Sequence, residues 1–448
     1  MSKLTTDPYK GTRDFFPEDM WRRDYIFGIW RRVMRRYGYQ AYDAPLLEPL
    51  ELYAVKSGDE LVNEQTYQFI DRGDRKVAIR PEMTPSVSRM IAAKRQETAY
   101  PARWFSIAQF MRYERPQRGR EREFWQLNAD LFGINGIEAE AEIIGIGDET
   151  LKEFGAKPEF YEIRINSRQL IDLVMTNYLQ LDTIQSHLMI KLFDRKNKIS
   201  HEQFRDQAIE IFGAETAPEG LARLAELLGV RTIAELPEAI RDSEAAKELG
   251  RLMDTLSERA ISSASFDITL MRGFDYYTGV VFEFFDTHPD NNRSLFGGGR
   301  YDGLVGLFGA DPVSAVGFAP GYSMTELFLE VHNLLPKFSS TTDVYVGILE
   351  GAETGAFELA RRLRKEGVNV ELDFTGRKLD KQLKTAIKKQ VKYLLFVGAN
   401  ELAEELYALK NLSTSEEQKV SFERMVTVLK DRRHKPQDED DTLFDLEI

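Results

Sequence analysis

Five arginines fall within eleven residues in the run Arg112-Tyr113-Glu114-Arg115-Pro116-Gln117-Arg118-Gly119-Arg120-Glu121-Arg122. Like charges at that density repel one another, and a loop between two strands has to hold them close together. Guanidinium forks match phosphate oxygens two at a time, so the anion such a loop suits is nucleotide or RNA phosphate. A loop of exposed, solvated charges is the alternative. Phe124, just past the cluster, offers a ring face to a base. A second run, Leu270 to Gly279, sets Arg272, Asp275, Tyr276 and Tyr277 where a strand opens. Those side chains would line a pocket with hydroxyl donors and one cation, although an ordinary strand with tyrosines in the core reads the same way. A third run, Gly297-Gly298-Gly299-Arg300-Tyr301-Asp302, lets backbone approach a ligand closely. It matches neither the Walker A pattern nor the dinucleotide-binding fingerprint.

Each run needs a framework. The arginine cluster joins two predicted strands, 102–114 and 123–132, in a hairpin. Shorter strands at 66–71 and 76–80 flank the turn Asp71-Arg72-Gly73-Asp74. Tyr25, Ile29, Val33 and Tyr37 recur every four residues and predict an amphipathic helix over 18–37. Its other face carries Arg22, Arg23, Arg31, Arg32, Arg35 and Arg36, read as a solvated face with an RNA-facing stripe as the alternative. Gly38 closes the helix, and a strand over 40–44 runs into Pro45. A helix over 136–154 and a strand over 160–165 follow. Residues 167–262 are polar and mostly helical, strands resume at 266–271 and 279–285, and the glycine run at 296–300 reads as a loop before another helix. Antiparallel strands with helices to one side predict an α+β fold. Residues 336–342 read as a linker, beyond which strands at 344–348, 368–372 and 393–397 alternate with helices at 354–366 and 378–389. That alternation predicts a small α/β domain with a parallel sheet. The chain is thus divided into a core in two parts (1–166 and 264–335), a helical insertion (167–263), a linker (336–342), a second domain (343–430) and an acidic tail (431–448).

Composition narrows the class. With 448 residues, 42% of them hydrophobic and 30% charged, the chain is too long for a single ordinary core and too apolar for disorder. No apolar run approaches the roughly 20 residues that span a bilayer, and the opening residues lack a hydrophobic signal core, so a cytoplasmic location is expected. Cysteine is absent, which removes disulfides, thiolate metal sites and a catalytic thiol. The histidines His187, His201, His288, His332 and His434 lie far apart in sequence, and nothing in their spacing favours a metal site. A net charge of −13 argues against a nucleic-acid partner on average. Between Arg361 and Lys392, however, eleven Lys/Arg face four Asp/Glu, a local excess of seven positive charges.

Taken together the runs resemble one family. Arg112-Tyr113-Glu114, a loop and then Phe124 have the form of motif 2 of class II aminoacyl-tRNA synthetases, and the full arginine-rich string resembles the histidyl-tRNA synthetases in particular. RGFDYYTG at 272–279 and GGRYDGL at 298–304 resemble that family's two histidine signatures. KGTRDFFP at 10–17 resembles its usual opening, and the Tyr39–Pro49 stretch looks like motif 1, with Pro45 as the interface proline. The resemblance runs from about residue 10 to 430. It implies a class II antiparallel sheet flanked by helices, a homodimer formed through motif 1, and a C-terminal α/β domain that reads the tRNA anticodon. It implies a histidine–tRNA ligase that uses ATP with Mg²⁺ as a substrate complex, with no tightly bound cofactor and no metal ligand from the protein.

Site residues carry over by position. Arg112 would hold the α-phosphate and the histidine carboxylate together, and Arg272 would stabilise charge at the α-phosphate as the carboxylate attacks. Glu82, Thr84, Gln126 and Asp130 would receive the histidine amino group, and Tyr276 and Tyr277 would border the imidazole. Glu114, Arg120 and Phe124 would hold the nucleotide along with Arg112, and Arg115 and Gln117 would face the acceptor end of tRNA(His). Attack of a carboxylate on a phosphate brings anions together, so the chemistry needs positioning and cationic stabilisation rather than a protein nucleophile.

Three positions depart from the family. Met83 stands where glycine is usual and should narrow the pocket near the amino group; Asp130 replaces a glutamate. The motif 3 arginine that touches the γ-phosphate is Met324 here, in Gly317-Phe318-Ala319-Pro320-Gly321-Tyr322-Ser323-Met324. A charged hydrogen bond is worth about 1.5–3 kcal/mol, so its loss would weaken ATP use, and Met324→Arg is expected to strengthen it. That change favours a non-catalytic relative, the histidine-sensing regulatory subunit of ATP phosphoribosyltransferase; the intact motif 2 loop, both tyrosines and the C-terminal module favour the ligase.

Overall fold

The computed structural model describes residues 4–54, 64–196, 199–270, 276–291 and 293–430. Arg272 and Asp275, and the acidic tail at 431–448, lie outside these residues. The chain divides into two compact units at the Leu335–Pro336 bond.

The first unit is built on strands β1 (Gln40–Ala41), β2 (Leu47–Pro49), β3 (Gln68–Ile70), β4 (Lys76–Ile79), β5 (Ala102–Met111) and β6 (Glu123–Phe132). It continues with β7 (Tyr161–Ser167), β8 (Ala264–Phe266), β9 (Val280–Asp286), β10 (Ser294–Arg300) and β11 (Ala315–Phe318). Eight of these form one sheet in the order β1-β5-β6-β11-β10-β9-β7-β8, and β2-β4-β3 form a small separate sheet. Pairing in the large sheet is antiparallel except at its two edges, where β1 lies parallel to β5 and β8 parallel to β7. The β5–β6 hairpin is its longest ladder, pairing Ala102 with Phe132 through to Met111 with Glu123.

The long helix Pro17–Arg36 covers one face of the sheet. Its buried stripe is Ile26, Phe27, Ile29, Trp30, Val33 and Met34. Ile29 and Val33 are buried as predicted and Tyr25 packs against the core partly buried, whereas Tyr37 is at the exposed end; Ile26, Phe27, Trp30 and Met34 widen the stripe. Gly38 follows with φ of +76°, as expected of a residue that stops a helix. The arginine face is not simply solvated. Arg32 and Arg36 reach Glu153 at 3.6 and 2.9 Å, and Arg23 lies over the rings of Phe15, Phe27 and Trp125. Helices Arg168–Leu173, Thr183–Asp194, His201–Phe212, Ala217–Gly229, Glu238–Arg241 and Glu244–Glu258 account for most of the stretch between β7 and β8.

Two expectations about strands fail in this unit. The strand predicted over 266–271 ends at Phe266, because the Asp267 carboxylate accepts from the backbone N–H and hydroxyl of Thr269 (2.9 and 2.7 Å) and turns the chain. The glycine run is not a loop but strand β10. A Cβ on Gly298 would run into the Gly317 carbonyl, and one on Gly299 would lie 2.7 Å from the Val280 carbonyl and 2.8 Å from the Tyr277 ring. Gly298 and Gly299 make room for neighbouring strands and a tyrosine.

Arg300, at the end of β10, is buried against Glu140 in a two-pronged ion pair of 2.6 and 2.7 Å and also donates to the carbonyls of Ile134 and Gly136. Arg300→Ala leaves the buried Glu140 carboxylate without its cation and takes a donor from the Ile134 and Gly136 carbonyls. We expect it to cost about 3–5 kcal/mol in urea unfolding; a cost below 1 kcal/mol would show that water replaces the pair.

The second unit holds β12 (Val344–Ile348), β13 (Val370–Asp373), β14 (Tyr393–Val397), β15 (Tyr407–Asn411) and β16 (Glu417–Val420), in the order β13-β12-β14-β15-β16. The first three strands are parallel, as predicted, but β15 and β16 add on antiparallel, so the sheet is mixed. Its core is Val344, Val346, Leu359, Leu363, Leu395, Met425 and their neighbours.

Candidate active site

Side chains on a strand alternate between faces, and β6 uses both. Leu127, Ala129 and Leu131 point into the main core, so Gln126, Asn128 and Asp130 share the opposite face. The β5 residues across from them are Ala108, Ser106 and Trp104, and one step further out Phe110 stacks on Phe124 with ring centroids 5.8 Å apart. A pocket opens on this face. Glu82, Thr84, Arg112, Gln126, Asp130, Tyr276 and Tyr277 all line it, brought there from four separate stretches of sequence. Asn128, Gly297, Tyr301, Gly317, Phe318 and Ala319 complete the wall, so the glycine run does bring backbone to the pocket, at Gly297. The period of two on β6 would have found Asn128. Tyr301 stood unused within the third run. Met83 is not among the lining residues; it is buried with Ala44, Ala108 and Phe110, so it packs behind the pocket instead of narrowing it.

Asp130 is the electrostatic centre. Its carboxylate accepts from the Tyr301 hydroxyl, and from Tyr42 at 3.4 Å. Burial pushes this carboxyl up to about 7, against the pull of the two tyrosine hydrogen bonds. Gly317 is its partner on β11, and a Cβ there would collide with the carboxylate. Nearby, the Tyr276 hydroxyl donates to Glu82 at 3.0 Å, and burial holds the phenol well above its ordinary range. Gln126 donates to the Ala319 carbonyl at 3.0 Å.

Arg112 sits at the mouth. Its Nε donates to the Pro81 carbonyl at 2.8 Å, and its guanidinium lies 5.4 Å from the centre of the Phe124 ring. Glu114 stands 4.0 Å from Arg112 and 3.0 Å from Arg120, so Arg112, Glu114, Arg120 and Phe124 form one group beside the pocket. The remaining loop residues go elsewhere. Arg115 lines a separate cleft with Lys10, Gly11, Tyr113, Pro116 and Arg122. Gln117 pairs with Arg120 through backbone hydrogen bonds at the tip of the loop. Arg122 is structural: its Nε donates to the Glu114 carbonyl, its backbone N–H to the Gly11 carbonyl, and its guanidinium stacks 4.0 Å from the centre of the Tyr113 ring. Arg272 was expected here as well, but lies outside the described residues.

A buried strand face carrying Gln, Asn and Asp, beside a cation that stacks on an aromatic ring, can hold an amino acid at its ammonium and a nucleotide at its phosphate and base. The family model described as histidyl-tRNA synthetase matches residues 11–323, and one described as an anticodon binding domain matches 343–432. The chain belongs to the histidyl-tRNA synthetase family. The histidine–tRNA ligase of Leptospira biflexa is 40% identical over 434 residues, covering 97% of this chain and 99% of that protein. The fold is also that of the histidyl-tRNA synthetase from Nostoc sp. PCC 7120 (TM-score 0.81, 22% identity, 96% of this chain and 100% of that one). A Bacillus halodurans structure described as an ATP phosphoribosyltransferase regulatory subunit/histidyl-tRNA synthetase follows at TM-score 0.73 and 24% identity, over 88% of this chain and 99% of that one. The fold therefore suits synthetase and regulator alike, and it is the sequence matches to a synthetase model and a ligase that weigh toward the synthetase.

In the second unit of this synthetase-family chain, a cleft lies at the carboxyl ends of β12 and β13, bordered by Glu350, Glu353, Phe374, Arg377 and Lys378. Phe374 is 64% exposed. Burial pushes the Asp373 carboxyl up, but hydrogen bonds from Thr375, Tyr345 and Arg377 outweigh it and hold the group at about 2. The positive stretch divides in two. Arg361 and Arg362 pair with Glu358 and Glu405, whereas Lys381, Lys384 and Lys388 are exposed on the helix Leu379–Lys388. Among the described residues no helix is long and apolar enough to cross a membrane, and no group of three or more His, Asp or Glu is placed to hold a metal ion.

Proposed function

We propose that this chain is a histidine–tRNA ligase, which activates L-histidine with Mg²⁺-ATP and transfers it to tRNA(His). The observation that carries this reading is the convergence of Glu82, Thr84, Arg112, Gln126, Asp130, Tyr276 and Tyr277 on one pocket. In it, Glu82, Thr84, Gln126 and Asp130 take the substrate ammonium and the two tyrosines border the imidazole. Arg112 bridges the histidine carboxylate and the α-phosphate, while Glu114, Arg120 and Phe124 hold the nucleotide. A carboxylate oxygen attacks the α-phosphorus, the bond to pyrophosphate breaks, and pyrophosphate leaves with its Mg²⁺. Arg272 is assigned to the charge that builds on the α-phosphate. A ribose hydroxyl of the terminal adenosine then attacks the acyl carbon and AMP departs.

Arg115 and Gln117 are assigned to the acceptor end of the tRNA. The cleft at Phe374 and the exposed lysines of the second unit suit the anticodon, with a ring for a base and cations for phosphates. Residues 167–263 are read as a helical insertion within the catalytic core. Leu46, Leu47, Phe69 and Ile70, exposed on the small sheet near Pro45, are the surface on which a second copy would close a homodimer. A cytoplasmic location fits a tRNA substrate.

The deciding experiment is pyrophosphate exchange into ATP without tRNA. Exchange that depends on histidine and on none of the other amino acids is the expected result. Histidine binding without exchange would replace this reading with that of the regulatory relative, to which the Met324 substitution points.

A further inference from the structure

The arginine-rich hairpin does not stand clear of the fold. At its tip Gln117 and Arg120 exchange backbone hydrogen bonds of 3.0 and 2.9 Å, and Gly119 between them has φ of +76°. This tip leans on the helix Tyr322–Val331. A Cβ built on Gly119 would lie 2.5 Å from the Met324 sulfur and 3.3 Å from a Leu327 methyl, so glycine is what lets the tip close down on the helix. Polar contacts flank the apolar one. The Ser323 hydroxyl donates to Glu121 at 2.8 Å, Arg13 reaches Glu121 at 3.5 Å and Glu326 at 2.9 Å, and Arg118 comes to 4.0 Å from Glu330. Ser323, Met324, Leu327 and Glu330 fall at the spacing of one helical face.

We propose that Met324 is a positioning residue for ATP: its thioether docks the tip of the arginine-rich loop on this helix and thereby sets where Arg120 and Glu114 meet the nucleotide. The inference rests on the ligase reading of the site. An unbranched, pliable side chain suits the irregular gap beneath Gly119. Arg120 closes the docked tip and its guanidinium is 3.0 Å from Glu114 on the other arm, so a shift of the tip moves the pair. The packing also turns round the expectation for Met324→Arg. Arginine is longer and charged, and in this gap it would either bury its guanidinium against the tip or push the tip off the helix. The loop is therefore held by apolar packing, and putting the cation back displaces it.

The test combines limited trypsin digestion of the full chain with exchange kinetics for Met324→Ala, Met324→Arg and Met324→Leu. Arg118 and Arg120 are cleavage sites within the docked tip, and their cleavage tracks how often the tip opens. Met324→Ala and Met324→Arg are expected to speed cleavage there about tenfold and to raise the KM for ATP about three- to tenfold, with the KM for histidine changed less than about twofold. Met324→Leu should stay close to wild type in both. A general loss of structure would instead speed cleavage everywhere and raise both KM values, which overturns the proposal. Unchanged cleavage at Arg118 and Arg120 in Met324→Ala overturns the docking, and a lower KM for ATP in Met324→Arg overturns the positioning role. A wild-type chain without exchange, in which cleavage still depends on residue 324, overturns the ligase reading and the ATP role with it but leaves the docking.

Discussion

Asp130→Asn is expected to make the unliganded protein more stable while raising the KM for histidine about 100-fold. The two effects share one cause. Asp130 is 3% exposed and lies among Tyr42, Tyr301 and the backbone of β11. Burial pushes its carboxyl up to about 7. A group whose folded value is raised binds its proton more tightly in the folded state, so the stability it contributes is fully present below about pH 4 and is lost as pH rises to about 7. Above that the folded protein carries a buried carboxylate with no cation beside it among the described residues. Asparagine removes the charge, and the Tyr301 hydroxyl can still donate to its amide oxygen. A net gain of about 1–3 kcal/mol is expected in urea unfolding near pH 8, narrowing as pH falls toward 4.

Bound histidine reverses the balance, because its ammonium brings a cation to the carboxylate. A variant that gains stability but loses substrate is the mark of a site where strain is kept for binding. Equal stability of wild type and variant near pH 8 would mean that water reaches Asp130. An unchanged KM for histidine would move the ammonium to Glu82 and Gln126.

The arginine loop and the tyrosine pair were legible as chemistry, whereas Glu82, Thr84, Gln126 and Asp130 were legible only through the family resemblance. Arg112 to Phe124 places four polar or aromatic contributors on the arms of one hairpin, and alternation on β6 sets Gln126 and Asp130 on a common face. What pattern alone misjudged were positions whose role is steric. Gly298 and Gly299 read as ligand-facing loop because a glycine's open side looks the same in sequence whether a phosphate or a neighbouring strand fills it. Strands β15 and β16, Tyr-Ala-Leu-Lys-Asn and Glu-Gln-Lys-Val, were missed because they are short, bury only Tyr407, Leu409 and Val420, and take their order from successive pairing onto β14. The Met324–Gly119 contact joins residues far apart in the chain, and only the folded sheet brings them together.

Arg112→Lys is expected to lower kcat/KM for histidine activation about 10²–10³-fold, although it keeps the charge. The reason is geometric. The Nε of Arg112 is committed to the Pro81 carbonyl at 2.8 Å, and its guanidinium is held above Phe124. With Nε anchored, the two terminal nitrogens form a fixed fork that can bridge the histidine carboxylate and the α-phosphate at the moment they approach. Lysine offers one ammonium on a flexible stem, which can satisfy the Pro81 carbonyl or the two anions but not both in that geometry. Arg112→Ala should lose more, since Glu114 would keep only Arg120, at 3.0 Å, to balance it beside an incoming triphosphate. The kinetics distinguish two roles. If kcat and kcat/KM fall together, the fork acts as the new bond forms; if only the KM for ATP rises, Arg112 binds ground state and transition state alike. A loss below tenfold in the lysine variant would take Arg112 out of the bridging role and leave the α-phosphate to Arg272.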